Sequence, residues 1–214
     1  MGRRRKEFRR PEAKLDCRLI VIASEGRNPE ENYFRSLAKE YENKRVHVEI
    51  VESVGTKNDP ESVLARLDAF RGEYDMGDGD NLYLVIDRDR WTLKNLSHVA
   101  REAKQKGFFL ALSNPNFELW ILLHVEDVSR FPDEKKKSIF ENKKVNKHKR
   151  CLEEILGGLF DGYNKPKFDC ARIVGEVEDA IENARRIDIA PKKRWPNYLA
   201  TRVYILAEDI IKDA

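Results

Sequence analysis

Four apolar runs, each followed by an amphipathic stretch at helical spacing, constrain this chain more than any other feature. Arg18–Ala23, Leu82–Ile86 and Phe108–Leu112 are near-continuous runs of apolar residues. Such runs predict strands buried on both faces, as in a parallel sheet. In the remaining one, Val46, Val48 and Ile50 alternate with His47 and Glu49, which predicts a less deeply buried strand. Helical faces lie between them: Tyr33, Phe34, Leu37, Ala38 and Tyr41, then Val63, Leu64, Leu67 and Phe70, then Leu93–Lys106 stopped by Gly107, then Phe117–Val125. Asn28-Pro29-Glu30-Glu31 reads as a helix start, with Asn28 as cap, Pro29 in the first turn and Glu31 completing a capping box. Gly55–Asn58 reads as a loop, Asp59-Pro60-Glu61 as the next helix start, and Gly77–Asn81 as a turn. Parallel neighbours need crossover helices, so this order predicts an α/β fold: a mostly parallel four-stranded sheet with flanking helices.

The pattern changes after about Asp127. Lys135–Lys137, Lys143-Lys144 and Lys147–Arg150 are basic. Helical patterns follow at about Val145–Leu156 (stopped by Gly157-Gly158), Asp169–Ile187 and Leu199–Lys212, with no strand expected between them. The expected organisation is a basic arm over residues 1–17, an α/β domain over 18–128 and a helical C-terminal region over 129–214, packed on it. At 214 residues the chain is long enough for a substantial core. No stretch approaches the ~20 apolar residues of a spanning helix, so no membrane partner is expected. Three scattered cysteines, Cys17, Cys151 and Cys170, support neither a disulfide framework nor a zinc knuckle and suggest a reducing, cytoplasmic setting. Net charge is only +3, but Arg3, Arg4, Arg5, Lys6, Arg9 and Arg10 concentrate basic charge at the start. Glu12, Lys14, Asp16 and Arg18 interrupt the place where a signal peptide would be apolar. The arm either contacts nucleic-acid phosphate or stays solvated.

In parallel α/β sheets, ligands sit beyond the carboxyl ends of the strands. Glu25 follows the first strand there, and Asp87 and Asp89 follow the third. Acids at i and i+2 leaving a strand can converge on one ion, and hard ions such as Mg²⁺ and Mn²⁺ prefer oxygen ligands. Such an ion would offset the repulsion among the acids and assist phosphoryl transfer. The bland alternative is that strand ends carry Asp because loops favour it. Asn114-Pro115-Asn116-Phe117-Glu118-Leu119-Trp120 is the most unusual string. Asn114 or Asn116 can cap the following helix, and Glu118 suits its first turn. The functional alternative turns Asn116 and Glu118 toward substrate or metal at the same edge, with Trp120 in the core. Arg27, Lys57, Arg88 and Arg90 surround the acids in sequence, as ion-pair partners or as phosphate ligands. His98 and His124 lack matching metal partners and read as structural or exposed. No Ser-His-Asp set, P-loop or GxGxxG appears. An Asp-x-Asp after an apolar strand also marks haloacid-dehalogenase-type phosphatases, but there it follows the first strand, with a Thr close behind.

These strings together resemble RloB-like proteins. The likeness rests on Ala23-Ser24-Glu25-Gly26-Arg27 with Glu30/Glu31-Asn32-Tyr33-Phe34, on Gly55-Thr56 with Asp59-Pro60, on Ile86-Asp87-Arg88-Asp89, and above all on Ser113–Trp120 followed by Leu122-Leu123-His124. Tyr163-Asn164-Lys165 resembles the family's later Tyr-x-Lys element. The resemblance implies a Toprim-like fold and a role in restriction and phage-defence islands. It implies a nuclease in which Glu25 is general base or metal ligand and Asp87 and Asp89 bind Mg²⁺ or Mn²⁺. Read together with the edge residues above, Glu118 is expected to join the catalytic set, and Arg27, Lys57, Arg88, Asn114, Asn116 and Lys165 are expected to face substrate. RNA (tRNA included) or DNA is the implied substrate, and a defence-associated ATPase the implied partner. Two departures stand out. Trp91 occupies a place where relatives often show His, and Pro196-Asn197-Tyr198 only loosely echoes a late Pro-Ser-Thr-like string. Two readings from other classes remain: a non-catalytic nucleic-acid-binding or adaptor subunit using the arm and Lys135–Arg150, and a small-molecule phosphatase.

Overall fold

The computed structural model describes residues 5–10, 17–53 and 59–212; the expectations for Arg3, Arg4 and for the Gly55–Asn58 loop with Lys57 fall outside them. In chain order the elements are β1 (Lys6–Glu7), β2 (Arg18–Ser24), α1 (Asn32–Tyr41), β3 (Val46–Ile50), α2 (Pro60–Glu73), β4 (Tyr74–Asp75), β5 (Asn81–Asp87), α3 (Leu93–Gln105), β6 (Phe109–Asn114), α4 (Glu118–Leu123), α5 (Asp133–Glu141), α6 (Cys151–Leu159), α7 (Val177–Ile187), β7 (Ala200–Thr201) and α8 (Val203–Ile211). The main sheet runs β3-β2-β5-β6-β7. The four expected strands are all there and pair in parallel. The sheet has five strands rather than four, because β7 pairs antiparallel with Ser113 and Asn114. Two residues carry no readable alternation, so this strand left no periodic signal.

Alternating residues of each central strand feed two separate cores. Ile20, Ile22, Tyr83, Val85 and Ala111 face one side, with α1 and the C-terminal helices. Leu19, Val21, Ala23, Leu82, Leu84, Ile86 and Leu112 face the other, with α2 and α3. The near-continuous apolar runs therefore mark strands covered on both faces. Between β2 and β3 the chain crosses over one face through α1; from β3 through α2 to β5 it crosses over the other. The strand order thus reverses between adjacent β2 and β5, and a crevice opens at their carboxyl ends.

The helix starts differ in outcome. Asp59 caps α2: its carboxylate accepts from the Ser62 amide at 3.0 Å, and Pro60 sits in the first turn. Thr92 caps α3, and Gly107 ends it at φ +72°. Asn28 does not cap α1. Arg27–Glu31 form a kinked turn in which Asn28 is extended (φ −132°, ψ 133°), α1 begins at Asn32, and the Asn28 side-chain oxygen accepts from the Asn32 side-chain amide. Glu31 closes no capping box either; it accepts from the Ser53 backbone N–H at 3.0 Å. Farther on, Val145 lies in a loop and α6 starts at Cys151, so Gly157 and Gly158 are inside that helix rather than beyond it. The 170–176 segment forms two 3-10 turns before α7.

The first residues are anchored where they are described. β1 pairs with β4, and Phe8 packs against Phe70, Tyr74 and His47. Arg10 donates to both Asp80 oxygens at 3.0 Å. Among the described residues, no helix is long and apolar enough to cross a membrane. Cys17, Cys151 and Cys170 are free thiols.

Candidate active site

The β2–β5 crevice gathers four carboxylates and one lysine. β2 ends at Ser24, whose hydroxyl donates to the Gly26 carbonyl at 2.7 Å and tightens the turn carrying Glu25. The Glu25 amide continues the sheet to the Val85 carbonyl at 3.1 Å. Asp87 closes β5, in register with Ser113 of β6. Glu118 opens α4 directly after the Asn114-Pro115-Asn116 switch. Lys165 heads a 3-10 turn that packs against Arg27–Glu31, and its Nζ lies 2.6 Å from Glu118 Oε1. Glu25, Asp87 and Glu118 are 6%, 8% and 1% exposed, deep enough for charge to be costly.

Glu30 joins this group although it was not among the residues picked from the sequence. It is 3% exposed, and its carboxylate lies over the backbone of Gly26. A Cβ at Gly26 would meet Glu30 Oε2 at 2.4 Å, so that close approach requires glycine. An acid in a helix's first turn is ordinary, which hid Glu30; its only signal was standing five residues beyond a strand-end Glu.

The electrostatics show a site short of positive charge. Burial, opposed by the Trp91 hydrogen bond and Arg90, pushes the Glu25 carboxyl up to about 8. Burial, followed by repulsion from Glu30, Glu25 and Glu118, drives Asp87 well above the usual carboxylate range, and Lys165 only partly offsets it. Glu30 is raised by burial and by Glu118, against Lys165. Burial works to lower Lys165, but Glu118, Glu30 and Asp87 outweigh it and raise it, so it stays a cation. Glu30 Oε2, Glu118 Oε2 and Asn116 Oδ1 are buried and accept no hydrogen bond among the described residues. Orphaned hard oxygens around repelling carboxyls suit Mg²⁺ or Mn²⁺. Among the described residues, no group of three or more His, Cys, Asp and Glu side chains is arranged to hold a metal unaided. Mg²⁺ commonly takes only one or two protein carboxylates and keeps several waters, so the donor set still fits it.

The other picked residues divide. Asp89 stands at the rim, 3.9 Å from Arg90; it is raised by burial, against Arg90 and Arg150. Arg88 turns its guanidinium to the Trp91 carbonyl at 2.8 Å. Asn114 donates to the Pro196 carbonyl at 3.1 Å and ties down the loop leading to β7. Asn116 is buried beside the acids in sequence, with its oxygen free. Only the backbone of Arg27 is described. Trp91, in the place of the resembled His, donates its indole N–H to Glu25 at 2.7 Å. His124 is structural: Nδ1 donates to the Trp120 carbonyl at 2.9 Å, and Nε2 accepts from the Tyr33 hydroxyl at 3.0 Å. Trp120 is fully buried.

No curated protein and no solved structure matches the chain. The family model described as RloB-like protein matches residues 20–210, from within β2 through α8 and across every residue of this crevice, and the chain belongs to that family.

Proposed function

We propose that this protein is a metal-dependent phosphodiesterase, a nuclease of the RloB/Toprim type that cleaves RNA or DNA in anti-phage defence. One observation carries the reading: buried Glu25, Glu30, Asp87 and Glu118 meet at the switch point with a single lysine among them. Glu25, Glu30 and Asp87 are raised by burial and by neighbouring carboxylates, and carboxyls so perturbed mark functional sites more often than structural ones. A divalent ion bound there would supply the missing positive charge and polarise a phosphoryl oxygen. Glu25, held by the Trp91 indole, accepts the proton of the attacking water. Lys165, fixed by Glu118, and Arg90 at the rim neutralise charge developing on the phosphate. The defence role and the Toprim likeness follow from the family resemblance, as do tRNA as a candidate substrate and an ATPase as a candidate partner.

A mixture of labelled tRNA and plasmid DNA, incubated with the full chain in Mn²⁺, tests this reading. Cleavage is expected in Mn²⁺ and not in EDTA, and Asp87→Asn should reduce it by at least about a hundredfold. Cleavage that persists in the variant contradicts the site. A second reading, a non-catalytic nucleic-acid-binding subunit, draws on the exposed basic residues 143–150. It expects binding that survives EDTA and no cleavage with either nucleic acid.

A further inference from the structure

The segment between α5 and α6 is a built loop. Lys144 and Arg150 form a β-bridge, and the Val145 amide donates to the Lys149 carbonyl at 3.0 Å. Asn146 Oδ1 accepts from the His148 and Lys149 amides, both at 2.8 Å. At its base, Asn142 Oδ1 accepts from the Leu152 amide at 3.1 Å, and Arg150 donates to the Asn142 carbonyl at 3.1 Å. The loop is therefore pre-shaped rather than an unstructured charge run.

Its cations are presented outward. Lys143, Lys144, Lys147 and His148 are exposed. Lys143 is paired with Glu141 and Lys149 with Glu154, but Lys144 and Lys147 form no ion pair among the described residues. The loop leads into α6, which packs on α4, the helix that Glu118 opens. Arg150 at the loop's end acts electrostatically on Asp89 at the site rim, together with Arg90. Positive charge therefore steps outward from buried Lys165, through Arg90 and Arg150 at the rim, to Lys144 and Lys147 on the loop.

We infer that the Lys143–Arg150 loop tracks the backbone of a polynucleotide whose scissile phosphate lies at the carboxylate crevice. A small phosphomonoester carries one phosphoryl group, which the crevice alone would take up. In a polynucleotide, neighbouring phosphates of the same chain would meet the unpaired lysines beyond the rim. The substrate is accordingly a nucleic-acid strand that continues past Asp89. This inference rests on the hydrolytic reading above, so its test avoids metal and turnover.

Full-length protein is titrated, in EDTA and over a range of salt, against fluorescein-labelled RNA and DNA strands about 16 nucleotides long. Lys144→Ala/Lys147→Ala is compared with wild type and with a matched variant, Lys39→Ala/Lys104→Ala. Lys39 and Lys104 lie in the last turns of α1 and α3, which point to the opposite edge of the sheet. The loop variant should bind on the order of tenfold more weakly, with a salt slope smaller by about 1.4, two phosphate contacts at ~0.7 each. The matched variant should stay within about twofold of wild type. Unchanged affinity in the loop variant, or an equal loss in both variants, overturns the inference; unchanged affinity would leave the loop to a protein partner. Wild-type binding without metal-dependent cleavage would instead count against the hydrolytic reading alone.

Discussion

At the scale of residues, two side chains show how burial sets function and stability separately. Gly26 lets the Glu30 carboxylate lie over its backbone, and a Cβ there would push that carboxylate aside. Gly26→Ala should displace Glu30 and lower Mn²⁺-dependent cleavage roughly tenfold to a hundredfold, with the thermal transition nearly unchanged. Full activity in that variant would remove Glu30 from the site. His124 is held neutral in the core, and burial lowers it from 6.5 to about 4. The unfolded chain then binds the extra proton between those values, so stability is present above pH ~6.5 and is lost as pH falls toward ~4. That loss is worth at most about 3 kcal/mol. His124→Gln should flatten this acid limb in a series of melts, and an unchanged pH profile would contradict the burial account. Glu25 and Asp87 were legible because strand ends at a parallel sheet's carboxyl edge are where ligands bind. Glu30 was not, because the sequence reads Asn28–Glu31 as a regular helix start, whereas Arg27–Glu31 is a kinked turn that leaves Glu30 buried.

At the scale of elements, local signals served where they matched what tertiary packing required. Asp59-Pro60 opened α2 as read, and Asp59→Ala should cost about 1 kcal/mol and lower Tm by roughly 2–4 °C. A Tm that does not move would mean that packing alone sets that end of α2. Asn28 carried the same signal and capped nothing, because Glu31 and Asn28 found partners in Ser53 and Asn32 instead. The Val145–Leu156 pattern held from Cys151 onward; its first six residues were overruled by the Asn142 and Asn146 side chains, which bond backbone amides and hold 142–150 as a loop. β7 left no sequence trace; its place is fixed from outside. Arg202, 6% exposed, donates to Asp188 at 3.1 Å, and Tyr198 donates to the same carboxylate at 2.6 Å.

At the scale of the whole molecule, the two ends of the chain share one core. Tyr33, Phe34 and Leu37 of α1 pack in the same cluster as Val177, Ile181, Val203 and Leu206. Arg18 at the start of β2 is ion-paired with Asp209 of α8, and Tyr83 donates to the same carboxylate at 2.9 Å. Asn43 donates to the Ile210 and Lys212 carbonyls, both at 2.9 Å. Removing the C-terminal helices would expose fully buried side chains worth about 1.5–3 kcal/mol each. A fragment covering residues 18–128 should therefore show no cooperative melt, while the full chain melts in one transition. A cooperative melt of the fragment would contradict this shared core. The same interlock delivers Lys165 from the C-terminal region to Glu30 after β2, Asp87 on β5 and Glu118 on α4, so the crevice is complete only when both regions are folded together.

If the repelling carboxyls at the β2–β5 switch point hold a divalent cation, as proposed, the protein must bind Mn²⁺ with a coupled release of protons. Calorimetric titration of Mn²⁺ into the metal-free protein at pH 6 and pH 8 tests it most directly. Glu25 rests near 8, so binding there must displace protons. Saturable binding is expected that tightens from pH 6 to pH 8, releases protons and is lost in Asp87→Asn. No binding by the wild-type protein, or equal binding by Asp87→Asn, would contradict it.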